Sequence, residues 1–294
     1  MTFAVLLAVS FTGSFQGSFE VLPVPLAEPP FEAQYAPSRC GTYDIPELRL
    51  LDSSPNDGTD YEEWFAMFDD WPSETFHGGG INDAIRGEWL PNDVPAFLRV
   101  PGNDEFDMYQ FIYGDEADIA VYGDPPNRYG VVLCPRLLAL YPDPADPEPS
   151  ATLDFLTYAH GPADVEEDLP YTFQQIRWAD MVDGVLFVSN AHRTYAESSG
   201  GLNGFITAID PVSLEILWRS EPLVSNSENF VVVGDAIISG YGFTGEDDFI
   251  CILNRHTGCT AERIPVPSAP EYLFAEGDRL YVRCSGTDLV FSIR

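Results

Sequence analysis

The side chains best suited to chemistry lie in a polar segment, 190–201, and in the loops that follow it. His192 could exchange a proton near neutral pH or ligate a metal. Arg193 could clamp a carboxylate or phosphate through two hydrogen bonds, and tyrosine rings could stack on a planar ligand. The predicted ligand-binding residues are His192, Arg193, Tyr195, Asn203, Tyr241 and Glu246.

The same residues also allow a purely structural interpretation. Arg193 could pair with Glu197 or Glu246 and tie two loops together, while His192 hydrogen-bonds to the backbone. Both interpretations require the loops to converge, so both depend on the elements that carry them.

A second stretch, 52–63, has the oxygen spacing of a calcium-binding loop, running into a helix. The predicted calcium ligands are Asp52, Ser54, Asn56, Asp60 and Glu63. However, Asp57 stands where such loops need glycine, and Pro55 is equally unusual. The alternative is an Asp/Asn turn that caps the following helix.

Signatures of catalysis are absent from the sequence. It contains no G-x-S-x-G or H-E-x-x-H motif, and its 4 histidines are widely separated. We therefore expect no catalytic residue and a non-catalytic binding or assembly role. A hydrolase or lyase acting through the His192 loop is the alternative.

The charge limits the kinds of partner. The 294-residue chain has 47 acidic residues against 14 basic ones, all arginine, and a net charge of −33. Phosphates would be repelled, so the charge argues against nucleic acids as partners and disfavours anionic membrane surfaces. Salt adaptation and a GC-rich genome both explain this composition. Cationic partners and divalent metals would be attracted.

The first residues resemble a weak export signal. An apolar run covers 3–11, without a preceding basic residue or a clear cleavage site. A leading β-strand is the alternative, and we favour a periplasmic or secreted location over a cytoplasmic one. No stretch is long enough to span a membrane as a helix.

The 5 cysteines follow no CxxC pattern, which excludes a zinc ribbon or a thioredoxin-type motif. Cys251 and Cys259 flank a predicted hairpin turn and could form a disulfide in an oxidising compartment. The alternative is that both are buried thiols within strands.

The elements that position these residues repeat along the C-terminal half. A Gly/Asp turn, a strand, a polar loop and a second strand recur from Asp183, Gly234 and Gly277. The period is about 40–50 residues, which is typical of β-propeller blades. In each blade the loops between the second and third strands lie on one face, so the candidate residues are expected to converge there.

Two hairpins carry a more specific pattern. The segment 208–218 follows A-x-D-x-x-T-G-x-x-x-W, with Leu214 in place of glycine and Trp218 in the final position. The segment 252–262 has Thr257 and Gly258 but Glu262 in place of tryptophan. In this hairpin pattern the chain resembles the quinoprotein-like β-propeller family with PQQ-like repeats, in its non-dehydrogenase branch.

The resemblance implies an all-β fold, a β-propeller of four-stranded antiparallel blades, five to seven in number. Three blades cover about 172–294, and strands within 117–159 could form one more, irregular blade. The chain ends after the third strand of its last unit, so a strand from elsewhere must complete that blade. The segment 17–25 is the predicted closing strand.

The predicted organisation has three parts. Residues 1–16 are a signal or leading strand, 17–115 are irregular with one or two short helices, and 116–294 are propeller repeats. The clearest helix places Trp64, Phe68 and Trp71 on one face, and we expect it to dock on the propeller.

The predicted function is a monomeric binding or assembly module that holds a protein, peptide or small ligand on its loop-rich face. No cofactor is expected; calcium and pyrroloquinoline quinone are the candidates. The resemblance also suggests a quinone-dependent oxidoreductase. However, the chain has only one tryptophan-containing repeat and no vicinal cysteine pair.

Overall fold

A computed structural model describes residues 21–23, 40–58, 60–68, 118–122, 129–133, 137–141, 151–154, 172, 175–192 and 194–294. Its strands in chain order are β1 (Val21–Pro23), β2 (Leu48–Pro55), β3 (Asp118–Tyr122), β4 (Tyr129–Leu133), β5 (Leu137–Tyr141), β6 (Ala151–Asp154), β7 (Gln175–Val182), β8 (Val185–Ala191), β9 (Phe205–Ile209), β10 (Ile216–Arg219), β11 (Val231–Val233), β12 (Ala236–Tyr241), β13 (Phe249–Asn254), β14 (Thr260–Pro265), β15 (Pro270–Glu276), β16 (Arg279–Cys284) and β17 (Thr287–Ile293). Helix α1 covers Tyr61–Phe65, and a 3-10 helix covers Ala196–Ser199.

The described strands belong to two compact units. One unit contains a five-stranded sheet in the order β1-β6-β5-β4-β3, in which β3 to β6 run antiparallel. Strand β1 pairs in parallel with β6, with Val21 opposite Thr152. The segment 17–25 was expected to complete the last blade. That prediction is wrong, because β1 pairs in this sheet instead.

The other unit contains three four-stranded antiparallel sheets, in the orders β7-β8-β9-β10, β11-β12-β13-β14 and β15-β16-β17-β2. We call them blades I, II and III. Each has the up-and-down strand order of a propeller blade, which confirms the predicted β-propeller fold. The strands also fall where the repeat predicts them.

Blade III takes its fourth strand from the N-terminal part of the chain. Strand β2 runs antiparallel to β17, from Leu48 opposite Ile293 to Pro55 opposite Thr287. The sequence does not mark this strand clearly, because all of its residues after Leu48 are exposed and show no buried alternation.

Blades II and III pack face to face around one apolar core. Alternate residues of each strand point into it, as the two-residue period of a β-strand requires. Its fully or largely buried members are Leu48, Ala236, Ile238, Ile250, Ile252, Leu273, Leu280, Val282, Cys284, Leu289 and Phe291.

The opposite face of blade III is covered by α1 and the turn that follows it. Trp64, Phe65 and Phe68 are buried against aromatic side chains of the blade, including Phe274 and Tyr281. Trp71, the third residue of the predicted apolar face, lies outside the described residues. In the part of the chain that the structure describes, no helix has the length and hydropathy needed to cross a membrane.

Equivalent turns connect the outer two strands of blades I and II. In blade I the carboxylate of Asp210 accepts hydrogen bonds from the backbone of Val212 and Ser213. These bonds to Ser213 and Val212 hold the pKa of Asp210 below its usual value. Asn254 bonds the backbone of His256 and Thr257 in the same way. Such turns favour Asp and Asn for this reason.

Both turns then need a left-handed backbone. Gly258 has a φ of 72°, and Leu214 at the equivalent position has a φ of 62°. A side chain in this conformation costs about 1–2 kcal/mol. The repeat therefore favours glycine here, and Leu214 is a departure that the fold tolerates at an energetic cost.

We expect Leu214→Gly to raise the free energy of unfolding by up to about 1 kcal/mol. The backbone penalty that is removed with the side chain is larger than the entropic cost of ordering a glycine, which has more freedom in the unfolded chain. Urea denaturation measures the change. Leu214→Ala is the matched control, because it removes the same contacts but keeps the backbone penalty. Equal stabilities of the two variants would contradict this explanation.

Candidate functional site

The loop from β8 to β9 and the loop from β12 to β13 meet at one face of blades I and II. We call this the loop face: residues 192–204, of which Arg193 lies outside the described residues, and residues 242–248. The 3-10 helix lies within the first loop. His192, Tyr195, Asn203, Tyr241 and Glu246 are all found at or directly beneath this face.

His192 follows β8 directly and is only 2% exposed. Its Nε2 lies 2.7 Å from Ser199 Oγ, and Ser199 Oγ donates to the carbonyl of Ala196. Its Nδ1 accepts a hydrogen bond from the backbone N–H of Thr194. This arrangement assigns the proton to Nε2 in a neutral ring, because Nδ1 acts as an acceptor and the serine hydrogen is already used.

Burial also keeps this imidazole neutral. Loss of solvation lowers the pKa of His192 from 6.5 to about 4. Among the residues that the structure describes, no carboxylate pairs with the ring, and burial disfavours its positive form. At neutral pH, His192 therefore holds the loop in place and does not exchange protons.

Asn203 fixes the two ends of the same loop. Its Oδ1 accepts from the backbone N–H of His192 at 2.8 Å, and its Nδ2 donates to the carbonyl of His192 at 3.4 Å. Asn203 is completely buried. The predicted ligand-binding amide is thus engaged by the backbone of its own loop.

Glu246 joins blade II to blade I. One carboxylate oxygen accepts from the backbone N–H of Ala196 at 2.6 Å, and the other accepts from the hydroxyl of Tyr241 at 2.7 Å. Burial, and then the bond to Glu246 and its negative charge, raise the pKa of Tyr241 well above its usual value. Tyr241 therefore stays protonated and donates.

Gly204 allows the close contact between the blades. Its φ is 67°, and a Cβ atom there would lie 2.9 Å from the ring of Tyr241 and from the carbonyl of Ser225. Sequence reasoning missed the structural roles of Gly204, Thr194 and Ser199. The only sequence signal is the run of small residues at 198–201.

Tyr195 is the most exposed of the candidates that the structure describes. It is 46% exposed, and its ring contacts the edge of Phe243 at a centroid distance of 5.2 Å. The exposed carboxylates of Glu197 and Asp247 belong to the same face. Burial, and then the charges of Asp247 and Glu246, raise the pKa of Asp248. The loop face therefore presents an aromatic pair among negative charges.

The calcium-like segment adopts a different structure from the predicted loop. Asp52 and Ser54 lie on β2, where they pair in register with Val290 and Asp288. Glu63 lies exposed on α1. The expectation of a loop starting at position 52 is therefore wrong up to Pro55, because the residues up to that point form a strand that pairs with β17.

The remaining two calcium candidates contact blade III. Asn56 Nδ2 donates to Asp288 Oδ1 at 2.8 Å and to the carbonyl of Cys284 at 3.1 Å. Asp60 pairs with the guanidinium of Arg283, which is completely buried and also pairs with Asp288 at 3.4 Å. In the described ranges, no three His, Cys, Asp or Glu side chains are grouped as a metal site would need.

Asn56 also forms an Asx-type turn before the helix, which is the structure that the sequence offered as the alternative to a calcium loop. Its Oδ1 accepts from the backbone N–H of Gly58 at 3.2 Å. This short Asn turn leads into α1.

Cys259 is bonded to Cys40, with 5.1 Å between the Cα atoms, and not to Cys251. The proposed Cys251–Cys259 bond is thus incorrect, whereas Cys251 agrees with the buried-thiol alternative. Cys251 and Cys284 are buried free thiols. Burial raises the pKa of each to about 12, so neither forms a thiolate at neutral pH.

No protein-family model matches the chain, and no curated protein does. Among solved structures, the computationally designed Ika4 protein is 12% identical, with a TM-score of 0.40 over 61% of this chain and 93% of Ika4. BamB from Moraxella catarrhalis is 17% identical, with a TM-score of 0.32 over 58% of this chain and 57% of BamB. Kuenenia stuttgartiensis hydrazine synthase is 9% identical, with a TM-score of 0.41 over 57% of this chain and 43% of the synthase chain. This chain thus spans about half the length of the two natural proteins, and its β-propeller assignment rests on strand order and blade packing.

Proposed function

We propose that this β-propeller is a non-catalytic module that binds a positively charged protein or peptide on its loop face. The observation that carries the proposal is the closed hydrogen-bond network of His192, Asn203, Tyr241 and Glu246. These are four of the six side chains predicted to bind a ligand, and each of the four is engaged in holding the loops.

A rigid loop face favours binding. Loops held in one conformation lose little entropy when a partner docks. Two loops from different blades are joined here through Glu246, so the surface they form is already ordered before a partner arrives.

The chemistry of the surface favours a cationic partner. Tyr195 and Phe243 offer an aromatic contact, and tyrosine is enriched among residues that dominate binding energy. Arginine and lysine side chains bind well to aromatic faces. Glu197 and Asp247 add complementary charge, which speeds association and selects against anionic partners.

The Cys40–Cys259 bond favours an oxidising compartment for this activity, because disulfides persist there. This supports the periplasmic or secreted location that we propose for the module.

We expect Tyr195→Ala to weaken binding of a basic peptide by about tenfold, the loss typical of a central aromatic contact. The probes would be peptides selected on the full chain from a random displayed library and then measured by calorimetry. We also expect the selected peptides to be rich in Arg and Lys, and their affinity to fall with added salt.

Val212→Ala is the matched control, because Val212 is 91% exposed on the turn between β9 and β10, away from the loop face. It should leave the affinity unchanged. Selected peptides without positive charge, or equal affinities for wild type and Tyr195→Ala, would disprove the proposal. A turnover that His192→Ala abolishes would also contradict it.

A further inference from the structure

Residues Cys40–Pro46, which we call the strap, connect the turn of blade II to the closing strand of blade III. At one end, Cys40 is bonded to Cys259, which directly precedes β14. At the other end, Glu47 exchanges two backbone hydrogen bonds with Arg294, at 3.0 and 3.1 Å. Strand β2 begins directly after this pair, so its pairing with β17 does not depend on the disulfide.

Between its ends, the strap lies across the rim of the apolar core shared by blades II and III. Ile45 packs against that core. A strap in this position shields the apolar side chains at one edge of the core, and its removal would expose them to water.

The other contacts of the strap are few and lie near the surface. Asn254 Nδ2 donates to the carbonyl of Cys40 at 3.0 Å, and the ring of Tyr43 stacks on His256 at 5.0 Å. The backbone of Asp44 hydrogen-bonds to the carboxylate of Asp235. Water competes for such contacts, and they must offset the entropy lost when the strap backbone is ordered.

We propose that the redox state of the Cys40–Cys259 disulfide controls the conformation of the strap. The disulfide holds the strap over the core rim, and reduction releases it while β2 stays paired. The strap would then be open in the reduced chain and would close when the chain reaches an oxidising compartment. This inference does not depend on the proposed binding function.

The chemical step needs a dithiol reductant. A thiolate of the reductant attacks Cys40 Sγ, which is more accessible than the buried Cys259, and Cys259 leaves as a thiolate that takes a proton from water. The second thiol of the reductant then breaks the mixed disulfide and releases Cys40 as a thiol. Two electrons and two protons pass to the protein, and the reductant becomes a disulfide.

The other two described cysteines do not interfere with this switch. Cys251 and Cys284 are buried, and burial raises the pKa of each thiol to about 12. Disulfide exchange requires a thiolate. The bond therefore opens to an external dithiol and is not reshuffled onto these buried thiols.

Hydrogen–deuterium exchange of the full chain, with and without dithiothreitol, tests the proposal. We expect the strap amides, including that of Ile45, to exchange at least about tenfold faster after reduction, as locally released segments do. Amides of β2 and β12 should keep their protection.

The double variant Cys40→Ser/Cys259→Ser should show the fast strap exchange without reductant and no further response to dithiothreitol. Cys40→Ser alone provides the same readout if the double variant folds poorly. Three results would overturn the proposal: unchanged strap exchange after reduction, loss of protection in β2 together with the strap, or five reactive thiols in the unreduced, denatured chain.

Discussion

Replacing Trp218 with alanine is expected to lower the free energy of unfolding by about 3–5 kcal/mol, the usual cost of removing a buried tryptophan. Trp218 lies on the outer strand of blade I and is 6% exposed. Its ring lies over Gly258 in the turn of blade II, and its Nε1 donates to the carbonyl of Arg255 at 3.0 Å. The substitution would therefore remove contact between two blades as well as core volume.

Gly258 provides the partner variant for a double-mutant cycle. A Cβ atom at Gly258 would enter the space of the Trp218 ring, and the residue has a φ of 72°. Gly258→Ala should therefore cost more in the wild type than in Trp218→Ala. In Trp218→Ala only the left-handed backbone penalty of about 1–2 kcal/mol remains.

Chemical denaturation of the four proteins measures this coupling. Leu217→Ala is the matched control, because Leu217 is the preceding residue and half-exposed; its effect should be small. Additive effects of Trp218→Ala and Gly258→Ala would show that the ring does not pack on the glycine.

The second large effect is expected on acidification. The unfolded chain binds a proton at His192 below about pH 6.5, whereas the folded chain does so only below about pH 4. Between these values the unfolded state binds more protons, so folding stability falls as the pH falls. The loss reaches about 3 kcal/mol at pH 4 and below.

The effect is isolated by comparing the wild type with His192→Gln at constant ionic strength. The stability advantage of the wild type should shrink by about 3 kcal/mol from pH 7 to pH 4, because glutamine does not titrate. Val212→Ala is the control, because it is an exposed substitution that changes no titratable group; its stability difference from the wild type should not vary with pH. An advantage that stays constant with pH would contradict the neutral, buried state of His192.

The blades could be predicted from sequence because their signals are local. Asp210 and Asn254 accept backbone hydrogen bonds within their own turns, and the strands around them alternate in a regular way. Trp218 occupies the tryptophan position of the repeat pattern, and its ring packs against Gly258 of the neighbouring blade.

The closing strand could not be predicted in this way. Strand β2 is exposed, so hydrophobic alternation does not mark it, and its pairing with β17 depends on residues far along the chain. The same holds for Cys40 and Cys259, which are 219 positions apart. Spacing suggested the nearer Cys251 instead.

The loops that carry the candidate residues were expected to converge, and two of them meet at the loop face. The state of their side chains, however, depends on burial. The choice between a titrating His192 and a structural one rests on Ser199 and Thr194, which use both ring nitrogens. A sequence shows which side chains can bind a ligand, whereas only their surroundings show which are already engaged.

The borrowed strand of blade III also sets an order of events during synthesis. Strand β2 is synthesised long before its partner β17; the contact of Asn56, directly after β2, with Asp288 joins positions 232 apart. Closing so long a loop slows folding. Until then, strand edges stay open to other chains, and the net charge of −33 helps keep the waiting chains apart. Blade III is therefore completed only after the strands of blades I and II have been synthesised.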